Sequence, residues 1–283
     1  MTTLAEAPAW LPGIYDMDEA TYHGDPVPGG SLSSTGARKL LPPSCPAKFL
    51  HERQNPPQPS DAMDLGTAAH KLVLGAGIDI HVIDADDWRL KATREERDDA
   101  RALGKLPLLK GDYEQVLGMA EAIRRHPVAG AVFNPERGKP EQSLFHQDPD
   151  TGVWLRVRLD WMFDRPIIAD YKTSKTANPA GFARSVADLG YYVQDAFYRR
   201  VYEAITGQYP KFVFVVQEKE PPYLVTVCEL DHDSVQSGHA LVQHAIERYR
   251  DCTESGIWPG YTDADAIELI TLPRWARGRE DYL

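Results

Sequence analysis

The sequence predicts an α/β domain built around a mixed sheet of about five strands, flanked by helices, and three observations carry that reading. Helical periodicity dominates as far as residue 126. The pattern then turns to alternation over three runs within 141–173. Helix-length segments return after it and precede two more strand-like runs. No internal repeat, low-complexity block or convincing linker divides the series, so one domain is expected over 31–257. An irregular Pro- and Gly-rich segment (1–30) and an irregular tail (258–283) flank it.

Each element has a local reason. "SLSSTGARKLL" (31–41) reads as a helix capped by Ser33 or Ser34, whose hydroxyl can accept from an amide in the first turn. After "PPSCPA" a second helix passes through Lys48 and Phe49 to about residue 53. The loop "NPPQPSDA" (55–62) leads into a helix over 63–75, and 80–83 reads as a short strand. Thr93 and Glu96 form a capping box for a charged helix, and a further helix over 111–126 is stopped by Pro127. The runs 141–147 and 153–163 flank the turn "DPDTG" as a β-hairpin, and a strand follows over 167–173. Asn178-Pro179 opens a helix, and a longer one over 191–206 ends at Gly207. The runs 212–219 and 223–230 form a strand pair, and an amphipathic helix covers 233–254.

Composition narrows the function. At 283 residues, 42% hydrophobic and 26% charged, the chain is ordinary globular material with ample core. No run approaches the length of a membrane span, and "MTTLAEAPAW" lacks a basic-then-apolar signal pattern, so no membrane association and a cytoplasmic location are expected. Cys45, Cys228 and Cys252 are scattered and too few for a four-cysteine iron–sulfur cluster. A net charge of −11 argues against holding nucleic acid by bulk electrostatics, but leaves local basic patches, bound cations or enclosure of a strand by an oligomer. No GxxxxGK[ST] phosphate loop, GxSxG elbow or HExxH pair is present.

The candidate chemistry lies in "RVRLDWMFDRPIIADYKTS" (156–174). Asp170 and Lys172 are two apart on a strand and share a face, while Tyr171 points away. Asp160 ends the polar series Arg156, Arg158, Asp160 on the preceding strand. If these strands are neighbours the carboxylates approach and repel, and a hard divalent cation such as Mg²⁺ relieves that repulsion. A lysine beside the ion sits near an attacking water or a phosphate oxygen. A surface salt bridge is the competing reading. His70 follows Gly66 by one helical turn, where a small residue lets another backbone come close; its imidazole could ligate a cation or be a hydrogen-bonded core histidine. Gln194 and Tyr198, four apart, share a helical stripe with Tyr191 and Tyr202. Such a stripe is usually core, but a buried amide needs partners, and a phosphate or metal-bound water would serve. Arg156 and Arg158 could steer a substrate strand or pair with nearby acids. Thr173, Ser174 and Lys175 fit phosphate contacts or plain turn chemistry.

Taken together, these segments resemble the PD-(D/E)XK nuclease superfamily, and within it the RecE, or exonuclease VIII, group of phage-type recombination exonucleases. "LSSTGARKLLPPSCPAKF" is similar to the group's opening segment and "MDLGTAAHKLVLG" to its Gly-x-Ala-x-His helix. "RVRLDWMFDRPIIADYKTS" resembles the metal core, "GYYVQDAFYRRVY" the Q-x-x-x-Y helix, and "FVFVVQEKEPPYLVTVCEL" the strand pair that follows. The resemblance spans about 31–255 and implies a restriction-endonuclease-like core. It implies Asp160 and Asp170 as metal carboxylates, the Tyr171 carbonyl as a further ligand, and Lys172 as the catalytic lysine. It also implies His70 at the metal, Glu141 as an additional acidic residue, and Gln194 and Tyr198 beside the site and the DNA. The implied activity is Mg²⁺-dependent (Mn²⁺ substituting) digestion of double-stranded DNA ends, 5′ to 3′, leaving 3′ single strands. A RecT-type annealing partner and a ring-shaped homo-oligomer, a tetramer rather than a trimer, are implied with it. A single-strand or structure-specific nuclease of the same superfamily, or a catalytically silent DNA-end binding subunit, are the alternatives.

Overall fold

The computed structural model describes residues 10–56, 61–262, 265, 267–273 and 276–277. Its elements run β1 (Gly13–Tyr15), α1 (Glu19–His23), β2 (Leu32–Ser33), α2 (Ser34–Leu40), α3 (Pro46–Gln54) and α4 (Asp61–Leu74). Then come β3 (Ile80–Ile83), α5 (Lys91–Ala102), β4 (Leu106–Leu109), α6 (Lys110–Arg125) and α7 (Ala129–Val132). The second half holds β5 (Gly138–Gln147), β6 (Trp154–Phe163), β7 (Ile167–Ser174), α8 (Pro179–Leu189), α9 (Tyr191–Thr206), β8 (Lys211–Glu218), β9 (Val225–Cys228) and α10 (His232–Ser255).

The five expected strands are β5 to β9, in the order β5-β6-β7-β8-β9 of a mixed sheet. Of these five, β7 and β8 alone pair in parallel, a pairing that needs a crossover, and α8 with α9 supplies it. Two short strands enlarge the sheet to seven: β1 pairs antiparallel with β5, and β2 parallel with β6. Both are too short for alternation to betray them, and β1 and α1 fall in the segment expected to be irregular. A second sheet of two parallel strands joins β3 to β4. "LPLL" gave no strand signal because it is uniformly apolar and contains a proline.

Helices cover both faces of the large sheet. Leu155, Val157, Leu159, Ile168 and Phe214 pack toward α2, α9 and α10. Trp161, Ala169, Tyr171 and Val215 pack with residues of α4 and α6. Each fully buried side chain of this size contributes about 1.5–3 kcal/mol. Helix α10 lies so close to α9 that a Cβ at Gly238 would come 2.2 Å from the Tyr192 carbonyl oxygen, so only glycine fits there.

Capping is as expected at two helices and different at one. Ser33 Oγ accepts from Gly36 N at 3.1 Å, and Asn178 Oδ1 from Ala180 N at 3.0 Å. The charged helix instead begins at Lys91 with Leu90 as its cap, and Thr93 is buried inside the first turn, so the capping box does not form. Of the loop expected over 55–62, residues 57–60 lie outside the described residues. The described part of the tail forms no strand or α-helix; Ala47 N donates to Pro259 O, and Trp258 stacks on Phe49. Among the described residues, no helix is long and apolar enough to cross a membrane.

Candidate active site

The strands β6 and β7 pair as antiparallel neighbours only at Trp161↔Ala169 and Met162↔Ile168. One step further the register sets Asp160 across from Asp170, and there the pairing lapses: Tyr171 N donates to Asp160 Oδ2 at 2.8 Å instead of to a strand carbonyl. On the other side of β6, Gln142↔Leu159 and Pro140↔Trp161 bracket a second lapse, with Glu141 across from Asp160. Glu141 has a φ of +55°, a left-handed conformation that costs a side-chain-bearing residue on the order of 1–3 kcal/mol. The buried side chains of β6 also change sides here, since Leu159 packs toward α9 and Trp161 toward α4. The sequence suggested one continuous alternation. The kink at Asp160 is what gathers three carboxylates from three adjacent strands.

Helix α4 brings His70 to the same point. Its Nε2 lies 3.2 Å from Asp160 Oδ2, and its Nδ1 lies 3.0 Å from Gly66 O. The expected crowding at Gly66 is not found: a Cβ there would meet only Thr173 Oγ1, at 4.0 Å. Asp170 is buried, and the Gln194 amide donates to its Oδ1 at 2.6 Å. The odd amide of the aromatic stripe therefore has a carboxylate partner. The Lys172 ammonium lies 2.5 Å from Asp170 Oδ2, although no donor is aligned for a hydrogen bond to that oxygen. It also lies 4.9 Å from the Tyr191 ring centroid. Tyr171 faces away as expected, its hydroxyl bonded to Gln217. Tyr198, Asp160, Glu141 and His70 line one cleft of about 580 Å³.

These contacts shift the titrations. Burial drives Asp170 up to about 6, with the Lys172 charge opposing and Asp160 adding to the rise. Burial alone would lower His70, but the charge and hydrogen bond of Asp160 raise it to about 9. Burial would raise Asp160, yet His70 and Lys172 hold it below the usual carboxylate range. Lys172 stays charged: burial works against it and is outweighed by Asp170 and Asp160. Glu141 is pushed up by burial and by Asp160, against the pull of Arg158.

Among the described residues, no three His, Cys, Asp or Glu side chains close into a metal cage. Each carboxylate is instead held against a cationic side chain: Asp160 by His70, Asp170 by Lys172, and Glu141 by Arg158 at 2.5 Å. The donor set nevertheless fits a hard divalent ion. It supplies carboxylate oxygens, one of them buried without an aligned donor, beside an imidazole that becomes a ligand once it loses its proton.

The sequence matches the family described as PDDEXK-like domain of unknown function (DUF3799) over residues 33–272. The chain belongs to this family. No curated protein matches it. Among solved structures it is similar to a protein from Eubacterium rectale provisionally named an exonuclease. That likeness has a TM-score of 0.65 at 14% identity, covers 93% of this chain and 99% of the other, and speaks for the fold alone. A fainter likeness, to an alkaline exonuclease from Laribacter hongkongensis, has a TM-score of 0.31 at 12% identity over 80% of this chain and 92% of the other, and carries no argument.

PDDEXK-type nucleases typically use divalent metal ions, in keeping with the donor set found here. Several features of this PDDEXK-like site escaped sequence reasoning. Tyr22 of α1 lies against Arg156 and Arg158, their guanidinium carbons 5.4 and 5.8 Å from its ring centroid, and helps line the cleft. Nothing in "EATYH" marked it, because its role comes from where β1 carries the chain. Arg156 pairs with Asp25 at 2.5 Å, and Arg158 also bonds Ser143 Oγ and Met17 O. Both follow the pairing alternative for these arginines. Ser174 Oγ accepts from Thr176 N, which is turn chemistry. Arg38 was unmarked too; its guanidinium bonds the Leu189 carbonyl and Thr35, pinning α2 against the α8–α9 junction.

Proposed function

We propose that this chain is a Mg²⁺-dependent exodeoxyribonuclease of the RecE kind. It degrades linear double-stranded DNA 5′ to 3′ and leaves 3′ single strands for an annealing protein. One observation carries the reading: Asp160, Asp170 and Lys172 gather where β6 and β7 part, and Asp160 opens onto a cleft that Arg156 and Arg158 also line. Asp160 and Asp170 would hold the ion, with the Tyr171 carbonyl, His70 and Glu141 around it. A bound Mg²⁺ or Mn²⁺ supplies a more acidic water and charge stabilisation for phosphodiester hydrolysis.

The chain's own groups do the rest. Gln194 holds Asp170 through Oδ1 and leaves Oδ2, beside the Lys172 ammonium, without a hydrogen-bond donor aligned to it. Lys172 carries a full positive charge beside that gap and stabilises charge developing on a phosphate oxygen. His70 holds Asp160 from the side of α4. A ring-shaped homo-oligomer enclosing the duplex, a tetramer in this reading, would let a chain of net charge −11 stay on its substrate by topology instead of by attraction.

The test uses purified protein with linear and with supercoiled circular duplex, each with Mg²⁺ or EDTA. Metal-dependent loss of the linear DNA alone is the expected result. Cutting of the circle would identify an endonuclease, and binding without loss of either DNA a silent end-binding subunit.

A further inference from the structure

The most exposed apolar stretch of the molecule lies in its tail. Ile267, Leu269 and Ile270 are almost wholly in solvent and Leu272 is mostly so, within six residues of the β-prone sequence "IELITL". These residues form no strand, and an apolar cluster of this density marks an interaction surface. A matching acceptor exists elsewhere on the chain. A groove of about 700 Å³ crosses the ends of β7, β8 and β9 on the sheet face beside α7. Val132, Phe163, Ile167, Val213, Val227 and Cys228 line the groove. Arg137 and Arg165 sit in its wall along with one acid, Glu229. The tail carries Asp265 and Glu268 on either side of Ile267. Two acids in and beside the apolar segment thus match in number and sign the two arginines of the groove.

We propose that the segment 267–272 of one copy docks in this groove of a second copy, its aliphatic side chains against the apolar lining and Asp265 and Glu268 toward Arg137 and Arg165. The donor and acceptor surfaces differ, so the contact is heterologous, and repetition around a rotation axis closes a ring. The inference deepens the ring reading above by naming its contact. It needs neither metal nor DNA.

Val227 points into the groove, whereas Cys228 beside it packs with the α9–α10 side of the sheet, so a cysteine placed at 227 provides a direct probe. The full chain carrying Leu269→Cys and Val227→Cys, mildly oxidised, is expected to run on a non-reducing gel as covalently linked chains, and the chain carrying Leu269→Cys alone as single chains. Ile267→Asp with Ile270→Asp is expected to reduce the mass by light scattering to that of one chain, with the circular dichroism of the parent. A 269–227 disulfide within single chains, a monomeric parent, or an assembly untouched by the aspartates would each overturn the proposal. Several chains without the 269–227 link would overturn this contact and leave the ring standing. Nuclease activity is scored separately, so its absence bears only on the functional reading.

Discussion

Two buried aspartate–cation pairs in this molecule look alike on paper and behave oppositely. In α9, Asp195 and Arg199 are four apart on one helix; both oxygens of Asp195 are engaged by the guanidinium, which also donates to Pro210 O. That pair is closed. Asp170 and Lys172 are two apart on a strand, with one carboxylate oxygen lacking an aligned donor and a second carboxylate across the parted strands. That pair is open. Removing one partner of a closed pair strands a buried charge, whereas an open pair keeps charge ready for a ligand.

The largest consequence concerns the open pair. Asp170→Asn and Lys172→Met are each expected to lower the nuclease rate by about a thousandfold. Both should melt within a few degrees of the parent, because neither completes a closed network; a large fall in Tm would erase the distinction drawn here. The closed pair should respond the other way. Asp195→Ala strands a buried guanidinium and is expected to cost about 3–5 kcal/mol in urea unfolding, with turnover per folded molecule unchanged.

A smaller effect sharpens the contrast. Gln194→Ala frees Asp170 without removing it, and a loss of about ten- to a hundredfold in activity or metal affinity is expected, measured as rate against Mg²⁺ concentration. The smallest involves a third buried aspartate, Asp148, held by Thr151 and Arg200. Burial would raise it, but those bonds keep it below the usual range, so its contribution is present above about pH 4 and is lost as pH falls through its folded value. Asp148→Asn should therefore flatten the acid limb of a stability–pH curve and leave activity at neutral pH alone.

Much of this was legible in the sequence because it depends on local spacing. Asp170, Tyr171 and Lys172 take their directions from strand alternation, and Gln194 and Tyr198 theirs from helical spacing. What stayed hidden depends on long-range placement. The φ of Glu141 and the change of sides at Asp160 arise from how three strands twist past one another, and no run of letters encodes that. Tyr22 reaches the cleft only because three residues of β1 pair with β5. Gln194 shows the same limit: burial demanded a partner, but only the fold could say that Asp170 supplies one.

The central claim is that the parted ends of β6 and β7 hold a divalent ion beside Lys172. Titration of Mn²⁺ into the DNA-free protein, followed by electron paramagnetic resonance, tests it most directly. The account predicts ions bound by the parent and lost from Asp160→Asn combined with Asp170→Asn, with the circular dichroism of the two proteins superimposable. Equal Mn²⁺ binding by parent and double variant would contradict it.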